Sequence, residues 1–211
     1  EAVEQGVVAL DDLVSTSAYA ASRGGTQVWL EVGEQLPLKE MLYAVAVGSA
    51  NDAAVAVAEY LASSEAAFVQ KMNQRAKELG LTNTRYINSN GLPISGTTSR
   101  YAITVPLFMD FVSTYEYTMR AETTKKPQLW NFNKLLRRYA GVDGIKTGFT
   151  TEAGYCSSVT AKRDSLRLIA VVLGCSSEAK READLTKLLD YGFRKYTDYL
   201  LYAEDSVVAS L

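Results

Sequence analysis

The chain has 211 residues, an apolar content of 47% and a formal net charge of −2, so neither a disordered chain nor a strongly basic nucleic-acid binder is expected. It contains no histidine, which excludes catalytic triads and zinc sites built on imidazole, and its two cysteines are too few for a structural zinc site. Acid–base chemistry near neutral pH would have to use Lys, Tyr, Asp or Glu.

The first part of the chain carries helical patterns interrupted by turns. Residues 1–13 indicate the end of a packed helix, and residues 28–30 a short strand. Pro37 suits the first position of a helix that runs to a polar break at 48–52. The Ala-rich stretch 53–62 is apolar on nearly every side, so we expect a helix at the buried centre of a domain.

A capped helix and a polar loop are predicted next. Ser63 or Ser64 can cap the helix, and Gly80 ends it. Residues 83–93 are dense in Asn, Ser and Gly, which is typical of a loop. Residues 103–112 are interpreted as a further helix.

The clearest pattern is a β-rich region. Residues 141–150 predict a strand, and residues 154–162 and 166–175 predict a hairpin, so three consecutive antiparallel strands are expected. An amphipathic helix at 178–193 follows. Both cysteines lie beside apolar strand runs and are expected to be buried hydrophobes rather than a disulfide.

These elements predict an α+β fold in which an antiparallel sheet packs with a helical layer. Residues 1–196 are interpreted as one domain. The strand-like pieces at 199–202 and 207–211 indicate the start of a small β-rich C-terminal domain at 197–211.

The strand at 141–150 carries the first candidate site, Lys146-Thr147-Gly148. An ammonium, a hydroxyl and a bare backbone in a row make a docking edge for a carboxylate. Considered alone, the same residues also fit a β-turn with an exposed lysine.

The polar break carries the second candidate site, Ser49-Ala50-Asn51. A polar break within a buried helical layer has to satisfy its groups, and the floor of a cleft is one place to do so. The alternative is structural: Ser49 would cap the helix that follows, helped by Asn51 or Asp52.

In this order the two motifs resemble the last two of the set S-x-x-K, S-D-N and K-T-G. The chain is therefore similar to the D-alanyl-D-alanine carboxypeptidases, the low-molecular-weight penicillin-binding proteins of the serine DD-peptidase family. Family-like stretches at 83–84, 90–92, 133–135 and 152–156 extend the resemblance over most of residues 1–196. The fold it implies is the one that DD-peptidases share with class A β-lactamases.

The resemblance also implies the roles of individual residues in acyl transfer. Ser49 would relay a proton to the leaving amine, and Asn51 would hold the substrate's amide carbonyl. Lys146 and Thr147 would bind the terminal carboxylate.

Two further positions concern the backbone. Gly148 would let the substrate lie along the strand as an added β-strand, and the N–H of Phe149 would contribute to the oxyanion hole. Phe149 itself stands where many family members have histidine.

The implied substrate is a peptidoglycan stem peptide ending in D-Ala-D-Ala, and β-lactam antibiotics would acylate the same nucleophile. Neither a metal nor an organic cofactor is implied, and nucleic acid is not an expected partner. The implied location is outside the cytoplasmic membrane, secreted or attached to its outer face. A membrane anchor, if present, would lie past Leu211.

The main departure from the family concerns the nucleophile. The one S-x-x-K in the chain, Ser177 to Lys180, follows the K-T-G and lies where a helix should be capped. We therefore expect the nucleophilic serine and its lysine upstream of Glu1. The chain alone is then not expected to form an acyl-enzyme.

Two alternatives stay open from the sequence. A class A β-lactamase shares the motif layout but needs a Glu-activated water, and residues 83–98 contain no Glu. A non-catalytic relative would recognise peptidoglycan without a nucleophile.

Overall fold

The computed structural model describes residues 1–92 and 106–199. Within these two ranges the chain folds into short and long helices and strands, which confirms the α+β prediction. In chain order they are β1 (Leu13–Ser15), α1 (Ala18–Ala21), β2 (Gln35–Pro37), α2 (Leu38–Ala46), α3 (Asn51–Ala62), α4 (Glu65–Glu78), α5 (Pro106–Val112), β3 (Glu116–Thr118), β4 (Gln128–Trp130), α6 (Leu135–Arg138), β5 (Val142–Thr150), β6 (Gly154–Arg163), β7 (Leu166–Cys175) and α7 (Glu178–Lys195).

The main sheet is formed by β5, β6 and β7 in that order, all antiparallel, as the sequence predicts. Lys146 lies opposite Ser158, and Gly148 lies opposite Cys156. Helix α7 packs on one face through Leu185 and Leu189, which are buried against β6 and β7. In the described part of the chain β5 pairs with a strand on one side only, so its other edge is open.

Helix α3 is the centre of the helical layer, as its composition predicts. Ala53, Val55 and Ala56 are fully buried, and the helix packs against α2 and α4. The polar break is shorter than expected, because Asn51 and Asp52 belong to the first turn of α3. Ser64 caps α4 by accepting a hydrogen bond from the N–H of Ala67.

The two layers meet next to both candidate motifs. Ile145 of β5 is buried in a cluster with Ala46 at the end of α2 and with Phe111 and Val112 of α5. This apolar contact places the K-T-G strand beside the loop that joins α2 to α3.

Other local predictions are wrong. Residues 1–13 form hydrogen-bonded turns that lead into β1, and residues 28–30 are not a strand. The strand pair in this region is β1 with β2, with Val14 opposite Leu36. Pro37 precedes α2 at its cap position.

Part of the predicted C-terminal domain and of the helix at 103–112 falls outside the described residues, since neither residues 93–105 nor residues 200–211 belong to them. The described helices include none with the length and apolar character needed to cross a bilayer. Cys156 and Cys175 are both free thiols; Cys175 is buried and Cys156 is half-buried.

Candidate active site

The two motifs meet in space. The Nζ of Lys146 donates a hydrogen bond of 2.8 Å to the Oγ of Ser49 and another of 2.9 Å to the carbonyl of Thr147. Ser49 and Asn51 line the same cleft as Lys146, Thr147 and Gly148, and this cleft has a volume of about 1090 Å³. The residues therefore lie within reach of one small peptide.

The backbone conformation of the polar break at 48–52 directs the side chain of Ser49 toward the sheet. Ser49 adopts a left-handed conformation with φ of 55°, which is uncommon for a residue with a side chain. Gly48 before it has no room for a side chain, because a Cβ would lie 2.9 Å from the carbonyl oxygen of Ala44. Such conformations concentrate at functional sites, where the surrounding structure enforces them.

Ser49 does not cap α3, so the structural alternative for this residue is wrong. Ala50 occupies the cap position of α3, and no side chain completes that cap. The hydroxyl of Ser49 instead accepts a hydrogen bond from Lys146. Ser49 is thus available to act in the cleft.

Asn51 is anchored to a second segment of the chain. Its Nδ2 donates to the carbonyl of Gly24 at 2.9 Å, and its backbone N–H donates to the carbonyl of Thr26 at 2.8 Å. Gly25 allows this close approach, because a Cβ there would lie 2.8 Å from the Nδ2 of Asn51. The Asn51 side chain is buried with a fixed orientation at the cleft wall.

Lys146 lies in an environment that disfavours its charge. Burial lowers the pKa of Lys146 to about 8, and the positive charge of Arg181 adds to this effect. The neutral and charged forms of the amine are therefore both accessible near physiological pH. Such a group can bind an anion and can also exchange a proton with the hydroxyl of Ser49.

Arg181 is the site residue that the sequence analysis missed. It lies on α7, is buried, and lines the cleft with Lys146. Its Nη2 lies 3.3 Å from a carboxylate oxygen of Glu178, and its guanidinium lies 6.0 Å from the ring centre of Tyr155. Arg181 lies four residues before Leu185, on the buried face of α7, and a charged residue at this apolar spacing is the sequence signal that could have located it.

The rest of the K-T-G edge faces the cleft as well. Thr147, Gly148 and Phe149 all line it. Phe149 is 58% exposed, and its ring lies 4.5 Å from that of Tyr155 on β6. An added Cβ at Gly148 would meet nothing within 4 Å, so the fold itself does not require glycine here. Open space at this position is what a ligand lying along β5 would need.

A hydrogen-bonded loop forms the facing wall of the cleft. Asn73 of α4 exchanges two hydrogen bonds with the backbone of Tyr86, at 2.7 and 2.8 Å. Glu65 accepts hydrogen bonds from both the N–H and the hydroxyl of Ser89. Side chains of α4 therefore fix the shape of this wall.

The S-x-x-K at Ser177 has a structural role. The Oγ of Ser177 accepts the N–H of Lys180 and caps α7, and Lys180 forms an ion pair with Asp184. Among residues 1–92 and 106–199 no group of three or more His, Cys, Asp or Glu side chains is arranged to hold a metal ion.

Comparison with known proteins identifies relatives for nearly the whole chain. Residues 1–177 match the peptidase family described as D-alanyl-D-alanine carboxypeptidase. The D-alanyl-D-alanine carboxypeptidase DacF of Bacillus subtilis (strain 168) is 44% identical over 220 residues, an alignment that covers 100% of this chain and 57% of the relative.

Solved structures give the same result. The D-alanyl-D-alanine carboxypeptidase DacD from Francisella tularensis has a TM-score of 0.87 at 29% identity, over 97% of this chain and 63% of that one. A DD-transpeptidase from Streptomyces has a TM-score of 0.79 at 30% identity, over 89% of this chain and 80% of that one. These likenesses confirm the predicted fold. The chain spans a little more than half the length of the Bacillus relative.

Proposed function

The chain belongs to the D-alanyl-D-alanine carboxypeptidase family, and we propose that its cleft is part of the active site of a serine-type D-Ala-D-Ala carboxypeptidase. The observation that carries the proposal is the 2.8 Å hydrogen bond between Lys146 and Ser49, which joins two motifs from different layers. The substrate is a peptidoglycan stem peptide ending in D-Ala-D-Ala.

Lys146, Thr147 and Arg181 bind the terminal carboxylate of this substrate. Two cations and a hydroxyl lining one cleft favour a carboxylate, because charge-assisted hydrogen bonds are about twice as strong as neutral ones. The substrate backbone lies along the open edge of β5, and Gly148 leaves the space for it. The amide of Asn51 holds a carbonyl of the peptide.

The reaction is acyl transfer through a serine that lies outside residues 1–211. Its oxygen attacks the carbonyl carbon between the two D-alanines while its proton passes to the lysine of S-x-x-K. The C–N bond then breaks, and the leaving amine takes a proton through Ser49. Water cleaves the resulting ester, which releases the shortened peptide and restores the serine.

Charge on the attacked oxygen is stabilised by backbone N–H groups. The N–H of Phe149 and that of the nucleophile donate to this oxygen, and removal of one such donor typically lowers the rate by about 10²–10³. Penicillins acylate the same serine, because their reactive amide occupies the position of the scissile bond. The location follows from the substrate, since peptidoglycan lies outside the cytoplasmic membrane.

The experiment is to treat the full-length gene product with a fluorescent penicillin and to map the adduct by mass spectrometry. We expect one stable adduct on a serine of an S-x-x-K outside residues 1–211, together with release of D-alanine from a D-Ala-D-Ala peptide. The Lys146→Ala variant should fold and lose both signals.

Other outcomes separate the alternatives. Rapid hydrolysis of the penicillin would identify a β-lactamase instead. A folded protein that forms no adduct and releases no D-alanine would identify a non-catalytic binding module. An adduct on Ser177 would overturn the assignment of that residue as a helix cap.

A further inference from the structure

A buried carboxylate lies next to the catalytic amide and has no role in the proposed chemistry. Asp52 follows Asn51 in α3 and is 0% exposed. Its two oxygens accept hydrogen bonds from the backbone N–H groups of Val28, Leu30 and Ala53, at 2.9–3.2 Å. Asp52 thus binds the segment 24–30 to the first turn of α3.

The same segment is held from its other side by an arginine. Arg120 is buried, and its Nη1 donates to the carbonyl of Val28 at 3.2 Å. Its Nε and Nη2 form a two-point ion pair with Glu34 at 2.6 and 2.8 Å. The peptide groups on both sides of Val28 are therefore fixed, one by Asp52 and one by Arg120.

The segment that Asp52 and Arg120 hold also contacts Asn51 at the wall of the cleft. Segment 24–30 supplies the carbonyl of Gly24 to the side chain of Asn51 and the carbonyl of Thr26 to its backbone N–H. Trp29, between Val28 and Leu30, has a left-handed φ of 51°, which shows how tightly the segment is constrained.

We propose that Asp52 is a positioning residue for Asn51, which it orients indirectly by fixing segment 24–30, with Arg120 and Glu34 as its supports. Asp52 does not touch the substrate. This inference depends on the proposed role of Asn51 for its effect on the reaction, but not for its effect on the geometry.

The kinetic test is a double-mutant cycle in the full-length protein, with the second-order rate of acylation by fluorescent penicillin as the measurement. Asp52→Asn places an amide N–H₂ against backbone donors, and we expect the rate to fall about 10- to 100-fold. If Asp52 acts through Asn51, the same change in an Asn51→Ala background should alter the rate by less than about twofold. An equal loss in both backgrounds, or none in the first, overturns the proposal.

A matched control separates positioning from general loss of stability. Asp12 also binds a backbone N–H, that of Ala9, and the hydroxyl of Tyr60, both at 2.7 Å, but it does not line the cleft. Asp12→Asn should therefore leave the acylation rate of the folded protein unchanged. If Asp52→Asn does not fold, Arg120→Lys is used, because lysine cannot hold Glu34 at two points while reaching Val28. Its expected effect is a loss in the same direction.

A crystal structure of the variant gives a readout that needs no catalysis. We expect the distance between the Gly24 carbonyl and the Nδ2 of Asn51 to exceed 3.5 Å in Asp52→Asn, or in Arg120→Lys if that variant is used. An unchanged distance of 2.9 Å in the variant overturns the positioning role, whatever the acylation rate of that variant. A wild-type protein that is never acylated overturns the proposed function instead, while the displaced Gly24 would still support the inference.

Discussion

Lys146 on β5 and Arg181 on α7 bring two positive charges to one wall of the cleft. Burial lowers the pKa of Lys146 to about 8, and the charge of Arg181 adds to the shift. Glu178 neutralises Arg181 only in part, because it also pairs with Lys134 at 3.1 Å. The wall is thus suited to an anion that compensates both cations at once.

The first prediction is that Arg181→Gln weakens binding of peptides that end in a free carboxylate. A hydrogen bond to a charged group contributes about 1.5–3 kcal/mol, so KM for a D-Ala-D-Ala peptide should rise by roughly 10-fold or more. Steady-state kinetics on the full-length protein measure this change.

The control for this prediction is Arg167→Gln on the same sheet. Arg167 pairs with Asp143 and Thr160 at 2.7–2.9 Å and does not line the cleft. Its variant should keep the wild-type KM. Equal effects of the two substitutions would mean that Arg181 acts through the stability of the sheet.

The second prediction concerns the stability of the chain against pH. The pKa of Lys146 is about 8 in the folded state and near 10.5 when the chain is unfolded. Between these two pH values the unfolded state binds more protons than the folded state, so the free energy of unfolding rises with pH. Lys146→Met should therefore be more stable than wild type at pH 7, and this margin should shrink by pH 10 by on the order of 2 kcal/mol.

Urea unfolding at 25 °C gives the free energies for this comparison. Lys146→Arg is the control, because arginine keeps its charge over the whole range, and its difference from Lys146→Met should not change with pH. A constant margin between wild type and Lys146→Met would contradict the lowered pKa.

What the sequence predicts well is local. The three strands and the cap at Ser177 depend on residues that are close in the chain, and alternation and turn chemistry encode them directly. The K-T-G and S-x-N motifs were found because each is contiguous. Their convergence depends on Ile145 packing against α2 and α5, a contact between distant residues that no local pattern reports.

What the sequence does not predict is tertiary. Residues 1–13 have helix-compatible apolar spacing, yet they form hydrogen-bonded turns, and from Leu13 the chain pairs as a strand with Gln35–Pro37. From the sequence Asp52 is interpreted as a residue that helps to cap a helix. Its carboxylate instead accepts hydrogen bonds from the N–H groups of Val28 and Leu30, more than twenty residues earlier. Side chains whose partners lie far away in the chain need the fold before their role is visible.

The third prediction separates stability from activity at Gly148. An alanine methyl there meets open space, and alanine is generally better than glycine inside a strand by about 0.5–1 kcal/mol. Gly148→Ala should thus be as stable as wild type or slightly more stable. Its acylation rate should nevertheless fall about 10-fold or more, because the methyl would occupy the path that we propose for the substrate along β5. Unchanged acylation would remove the argument for a substrate on this edge.

The fourth prediction uses two glycines with the same backbone demand. Gly25 and Gly33 have φ values of +75° and +81°, so alanine is strained at both positions by about 1–2 kcal/mol. A Cβ at Gly33 meets nothing within 4 Å, whereas a Cβ at Gly25 would lie 2.8 Å from the Nδ2 of Asn51.

Gly33→Ala and Gly25→Ala should therefore both lower Tm by a few degrees, as about 1–2 kcal/mol does in a domain of this size. Only Gly25→Ala should also slow acylation, by about 10-fold or more, because it displaces the Asn51 amide that we propose holds the substrate. Thermal unfolding and penicillin acylation of both variants decide the matter. If Gly33→Ala slows acylation as much as Gly25→Ala does, backbone strain alone accounts for the loss, and the orientation of Asn51 is not what limits the reaction.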